Sequence, residues 1–303
     1  MNNEAAPILF LLGTLEIGGS ETKFVALASR LHRAGWPVHV AYLREPADLL
    51  GRLKDVPCVH LRQTGKWSKK SYHRLREYVA ANRIRSVVTV NPYPLTYAVT
   101  GRYDDTDPQP RIIASINTSE FLSFRDRLFM LLYSRLLRRC DAVVFGSQRQ
   151  MSLWVTRYGL NKQKACVIYN GVDSRHFSPV AIPKSNEDIR KALHIPIDSF
   201  VIVCVGQFRP EKAHGNLLQA FYRYLRKGGR RCDLVLVGDG SERNSIETSI
   251  VQLDISENVH LVGAVSDVRP YLKAADLFAL TSVAVETFSN AALEAASRHL
   301  PIV

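Results

Sequence analysis

The chain has 303 residues, 46% of them hydrophobic and 22% charged, which excludes a disordered chain and allows two ordinary cores. Its formal charge of +12 is lopsided, with 25 Lys+Arg against 14 Asp+Glu in residues 1–174 and 15 against 14 in residues 175–303. The excess calls for an anionic partner of the first half: nucleic acid, anionic lipid or an anionic substrate, with a merely solubilising surface as the alternative. No apolar run approaches the ~20 residues of a membrane span, and MNNEAAP lacks the positive region of a secretory signal. The five cysteines, Cys58, Cys140, Cys166, Cys204 and Cys232, show no CxxC or Cys/His spacing, so reduced thiols, a cytosolic location and no zinc site are expected.

In chain order, PILFLLG, PVHVAYL, VPCVHLR, SVVTVN, RIIASIN, AVVFGS and ACVIYN read as strands. They are continuous apolar or β-branched runs, as parallel strands covered on both faces require. Helical text lies between several of them: SETKFVALASRLHRAG, KKSYHRLREYVAAN and FRDRLFMLLYSRLLRR. The rhythm stops at SRHFSPVAIPKSNED, which is polar and holds two prolines, and residues 175–190 are therefore expected to be a linker. It then resumes with FVIVCVG, GNLLQAFYRYLRKG, CDLVLVGDG, ERNSIETSIVQLD, NVHLVGAV, VRPYLKAAD, LFALTS, NAALEAASRH and the beginning PIV. The alternation predicts an α/β chain of two doubly wound parallel-sheet domains, 1–174 and 191–303, facing across a cleft. Ligands of such sheets bind beyond the carboxyl ends of the strands, so the chemistry belongs in the strand-to-helix loops.

Four segments stand out. In GTLEIGGSETK, Gly18 and Gly19 allow close backbone approach and a helix beginning near Ser20 offers N–H groups to an anion; a capped tight turn is the alternative. In VGQFRPEKAHGN, Arg209 and Lys212 lie three apart at a strand's carboxyl end, where a fork and a point charge suit a diphosphate; solvated loop charges are the alternative. In VETFSNAALEAA, Ser289 or Asn290 caps a helix, Glu286 precedes it in the loop and Glu294 sits about one turn inside. That arrangement presents one carboxylate to a sugar and the other to vicinal ribose hydroxyls. A solvated helix residue is the alternative for Glu294, but its small apolar neighbours imply a packed face, on which a carboxylate wants a polar partner. In SEFLSFRDRLFMLLYSRLLRR, large apolar residues mix with Arg125, Arg127, Arg135, Arg138 and Arg139, as on a membrane-surface helix or on a sheet-covering helix with a basic outer side.

GGSE, YNGVD (169–173), VGQFRPEKAHGNLLQAF, LVGDG (236–240) and ETFSNAALEA followed by LPIV occur in this order over essentially the whole chain. In this the sequence resembles the retaining glycosyltransferases of the two-domain GT-B type, family 4. The resemblance implies two Rossmann-like domains, a nucleotide-sugar donor such as a UDP- or GDP-sugar, no other cofactor and no metal. By the same resemblance, Lys212 matches the lysine that contacts the donor diphosphate, Glu286 the glutamate against the transferred sugar, and Glu294 the one that binds the ribose. Phe288, Ser289 and Asn290 match positions whose backbone holds sugar and phosphate, and Gly18 and Gly19 the glycines that approach the reaction centre. Many members carry an arginine where this chain has Gln207, and Arg209 is the expected replacement. Members often carry a histidine near the acceptor where this chain has Asn117 and Thr118. Members also continue past LPIV, so the second domain is expected to be truncated. The implied function is transfer of a sugar to a lipid-linked or polysaccharide acceptor in cell-envelope glycan synthesis, with the protein peripheral at the cytoplasmic face of an anionic membrane. The alternative is a homologue that binds nucleotide sugar or lipid without turnover. A nicotinamide enzyme lacks its G-x-G-x-x-G here, and no nucleic-acid module is recognised.

Overall fold

The computed structural model describes residues 6–65, 67–101, 103, 108–117, 124–179, 182, 185–283 and 288–303, with the backbone alone for 124–128. The chain forms two compact units, Met1–Tyr169 and Asn170–Val303.

The first unit runs β1 (Ile8–Leu12), α1 (Gly19–Arg33), β2 (Val38–Tyr42), β3 (Cys58–His60), α2 (Lys69–Ala81), β4 (Ser86–Val90), α3 (Pro92–Thr100), β5 (Arg111–Ile116), α4 (Phe124–Leu137), β6 (Ala142–Phe145), α5 (Gln148–Tyr158) and β7 (Ala165–Val167). All seven strands pair in parallel in the order β3-β2-β1-β4-β5-β6-β7. Strand side chains alternate faces. Leu9 and Leu11 join the core that holds Leu75, Leu95, Tyr133 and Trp154, while Phe10 and Leu12 join the one that holds Phe24, Val25 and Ala28. Both faces are thus covered by helices, which is why these strands read as unbroken apolar runs. The chain leaves β1 toward β2 and β3, then returns to the other side of β1 at β4. The crevice at this reversal is where open α/β sheets take ligands.

The second unit runs α6 (Asn186–Ala192), β8 (Phe200–Val205), α7 (His214–Arg226), β9 (Cys232–Val237), α8 (Arg243–Gln252), β10 (Val259–Gly263), α9 (Arg269–Ala274), β11 (Leu277–Phe278) and α10 (Asn290–Ala296). Its strands are parallel in the order β10-β9-β8-β11, so the reversal lies between β8 and β11. Ile302 adds a parallel bridge to Phe278.

Helix α6 begins inside the segment read as a linker. Ser185 caps it, with its hydroxyl accepting from the Asp188 N–H at 3.0 Å and Asp188 returning the bond to the Ser185 N–H. Buried Arg190 then fastens α6 to the sheet. Its guanidinium donates to the carbonyls of Ala274, Ile197 and Ser199 at 2.9–3.0 Å and to Asp276 Oδ2 at 2.9 Å, and that same carboxylate oxygen accepts the N–H of Val201. The second unit therefore extends back into the segment that composition alone reads as a linker.

Candidate active site

The reversal in the second sheet gathers most of the residues singled out in the sequence. The loop after β8 carries Gln207, Arg209 and Lys212, and the chain after β11 leads to Phe288, Ser289, Asn290 and Glu294. The two loops are tied: Thr281 Oγ1 donates to the Lys212 carbonyl at 2.9 Å, and the Val283 N–H donates to the Glu211 carbonyl at 3.0 Å. A third loop, after β9, presses against the first by backbone alone. A Cβ on Gly238 would lie 1.9 Å from the Gly206 carbonyl oxygen, and one on Gly240 would lie 2.5 Å from that of Phe208. The Phe208 N–H donates to the Asp239 carbonyl at 2.9 Å and the Glu242 N–H to the Phe208 carbonyl at 2.9 Å. The glycines of LVGDG are needed for this contact, since any side chain would push the loop after β8 out of place.

Lys212 lies over that loop, its Cδ and Cε each 4.0 Å from where a Cβ on Gly206 would stand. Arg209 is exposed and lines a small groove with Ala213, His214, Gly215, Glu242 and Ser245, between the start of α7 and α8. The loop geometry therefore groups Lys212 with the β11 side and Arg209 with α8. His214 sits buried behind the loop, its ring edge-on to that of Phe208 with centroids 4.8 Å apart. Burial first, and the Lys212 charge second, push the imidazole down to about 4, so it packs as a neutral ring.

Helix α10 starts as its sequence predicts: Ser289 Oγ accepts the Ala292 N–H at 3.2 Å. The Phe288 carbonyl accepts from Asn170 Nδ2 at 2.7 Å, which links YNGVD to the approach to α10. Glu294 is half-buried between Leu293 and Ala295, and burial raises its carboxyl to about 7. The packed face inferred from AALEAA is present, and it leaves a carboxylate poised to gain from hydrogen-bond donors. Glu286 and Thr118 lie outside the described residues.

In the first unit, Gly18 is the extended residue that caps α1, and its carbonyl accepts the Thr22 N–H at 2.9 Å. Asn117 follows β5, where its Oδ1 accepts from Lys23 Nζ at 3.0 Å and its Nδ2 donates to Asn91 Oδ1 at 3.3 Å. Sequence reading missed Lys23, Asn91 and His214. The available signals were a lysine just beyond GGSE, an asparagine closing SVVTV and a histidine two residues past Lys212.

Residues 17–176 match the model for Glycosyltransferase Family 4, and residues 185–303 match the one for glycosyl transferases group 1. The chain belongs to glycosyltransferase family 4. It is similar to the putative glycosyltransferase EpsF of Bacillus subtilis, at 24% identity over the whole of this chain and 80% of that protein. It is also similar to an Escherichia coli UDP-Gal:alpha-D-GlcNAc-diphosphoundecaprenol alpha-1,3-galactosyltransferase, at 33% identity over 64% of this chain and 51% of that one. The match spans less than half the length of other curated relatives. The crystal structure of Anabaena Alr3699/HepE in complex with UDP and glucose superposes with a TM-score of 0.81, covering 98% of this chain and 80% of that one at 20% identity. That likeness establishes the fold, two Rossmann-like units of the GT-B class.

Proposed function

We propose that this family 4 glycosyltransferase is a retaining enzyme that moves a sugar from a nucleoside-diphosphate donor to a lipid-linked or polysaccharide acceptor of the cell envelope. In this reading the second unit, α6 included, takes the donor and the first unit takes the acceptor. The observation that carries it is the convergence of the Lys212 loop and the Glu294 helix on the β8/β11 reversal, the ligand end of the second sheet. A lysine and a helix start suit a leaving diphosphate, whose negative charge grows as the glycosidic bond breaks. A carboxylate held in an apolar setting suits a ribose diol, which supplies two hydroxyl donors. Glu286 is assigned to the sugar on sequence spacing alone.

UDP is the first nucleotide to test, because a similar solved structure holds UDP and a similar E. coli protein is named for UDP-Gal. The E. coli protein and a Campylobacter jejuni relative are also both named for diphospho-undecaprenol acceptors, which supports a lipid-linked acceptor here. The cytoplasmic, peripheral location rests on α4. Phe129, Leu131 and Leu132 are each about half exposed on it, beside Arg135 and the Arg138–Arg139 pair that follows. No helix among the described residues is long and apolar enough to cross a membrane.

The test is nucleoside-diphosphate release from a panel of UDP- and GDP-sugars with a polyprenyl-diphosphate sugar as acceptor. Release is expected with one donor and is expected to fall at least 100-fold in Lys212→Ala and Glu286→Ala. No release with any donor would overturn the reading. Binding without turnover is the second reading, favoured by Gln207 in the phosphate loop and by the placement of Arg209 toward α8. UDP affinity with no release from any donor would select it.

A further inference from the structure

The small groove that Arg209 lines carries polar groups that the fold leaves uncommitted. It measures about 70 Å³ and lies between the turn Pro210–Lys212, the start of α7 and α8, with His214, Gly215, Glu242 and Ser245 among its walls. His214 is only 3% exposed, and neither of its ring nitrogens has a hydrogen-bond partner among the described residues. A buried imidazole with both nitrogens idle calls for a reason. Packing against Phe208 does not supply one, since an apolar ring would fill that place without burying two unpaired polar atoms.

The 13-residue helix α7 begins at the same place without a cap. Ala213 precedes it in left-handed backbone, φ 51°, and brings no side chain that could accept from the first N–H groups. The first turn of α7 holds no acidic residue, so the positive end of the helix is left open. Arg209 and Glu242 line the groove as well, and neither forms an ion pair among the described residues. Arg243, beside Glu242 in sequence, is held instead by Asp239 and Glu247.

This combination selects a ligand. Arg209 and the open helix start call for an anion, and the size of the groove calls for a small one. A neutral imidazole has one N–H donor and one acceptor nitrogen, so His214 asks for a partner that both accepts and donates. The carboxylate of Glu242 only accepts, and it repels an anion that has no proton to give. Sulfate and carboxylates lack that proton, whereas inorganic phosphate near neutral pH and the monoanion of a phosphomonoester keep a P–OH. We propose that Arg209, His214, Glu242 and the start of α7 form a site for a protonated phosphate group, separate from the donor diphosphate that Lys212 is read to hold. The grouping of Arg209 with α8, and of Lys212 with the β11 side, is what separates the two.

Calorimetric titration of the full chain at pH 6 with inorganic phosphate, methyl phosphate and sulfate tests it. Saturable binding of inorganic phosphate is expected in the unsubstituted chain, at least tenfold tighter than that of sulfate. His214→Phe is expected to weaken phosphate at least fivefold. Glu242→Gln is expected to let sulfate bind as well as phosphate, a gain that a misfolded chain would not show. Lys212→Ala, and saturation with UDP, are expected to leave phosphate affinity within twofold. Methyl phosphate binding within threefold of inorganic phosphate assigns the site to a monoester group, and weaker binding assigns it to free phosphate; both support it. No saturable binding of phosphate, equal binding of sulfate by the unsubstituted chain, or phosphate binding lost in Lys212→Ala but kept in His214→Phe overturns it.

Discussion

The carboxyl of Glu294 is the residue on which the donor reading is most exposed to test. Burial holds it at about 7, above the value of a free glutamate. For the unliganded protein the sign follows directly. The folded state holds this proton more tightly than the unfolded one, so the stabilising contribution is complete below the unfolded value of 4.5 and is lost as pH rises through 7. For ribose binding the sign reverses, because hydroxyl donors favour the ionised form. Nucleotide affinity is therefore expected to rise between pH 6 and pH 8 by up to roughly tenfold, the change in the ionised fraction over that interval. Calorimetric titration of UDP at both pH values measures this. Glu294→Gln corrects for the titration of the nucleotide itself, and its profile is expected to be flatter. Equal pH dependence in the two proteins would detach Glu294 from the nucleotide.

At the scale of elements, α6 shows what composition conceals. SRHFSPVAIPKSNED is polar and proline-bearing, yet Ser185 and Asp188 within it form a capping box, and Arg190 just beyond is the most heavily bonded side chain of its helix. Arg190→Met keeps the length of the side chain but removes the guanidinium donor to three carbonyls and one of the two donors to Asp276 Oδ2, which keeps the Val201 N–H. A loss of about 3 kcal/mol in the stability of the second unit is expected, measured by urea unfolding of the full chain followed through that unit. A change under 0.5 kcal/mol would mean that α6 is not part of this core. The main strands were legible because burial on both faces forces continuous apolar text, and the start of α10 because Ser289 is a strong cap. Lys23, Asn91 and Asn117 were not legible as a group. They are separated by 94 and 26 positions in sequence and meet only because β4 and β5 lie side by side beyond β1. The grouping of Arg209 with α8 was hidden for a similar reason: the spacing to Lys212 is plain in sequence, but the direction of each side chain is set by a short 3₁₀ turn, Pro210–Lys212, between them.

For the whole molecule, the uneven charge and the exposed face of α4 make one joint prediction. The first half carries 25 Lys+Arg against 14 Asp+Glu, and within it Phe129, Leu131 and Leu132 stand 48%, 52% and 56% exposed on a single helix. A basic surface alone would attract anionic lipid through a screened field whose range shrinks from ~10 Å at 0.1 M salt to ~3 Å at 1 M. Apolar insertion is insensitive to that screening. If both act, sedimentation with vesicles containing phosphatidylglycerol should be strong at 0.1 M salt and weaker but measurable at 1 M, and vesicles of phosphatidylcholine alone should retain much less protein. Phe129→Asp with Leu132→Asp should abolish the salt-resistant part, whereas Arg135→Glu with Arg139→Glu should reduce the salt-sensitive part and leave the remainder. Both pairs lie in the first unit, so an unchanged far-ultraviolet circular dichroism spectrum and melting temperature serve as the check that the protein is still folded. Binding that vanishes entirely at 1 M salt would make the attraction purely electrostatic and leave the apolar residues of α4 without a role at the membrane.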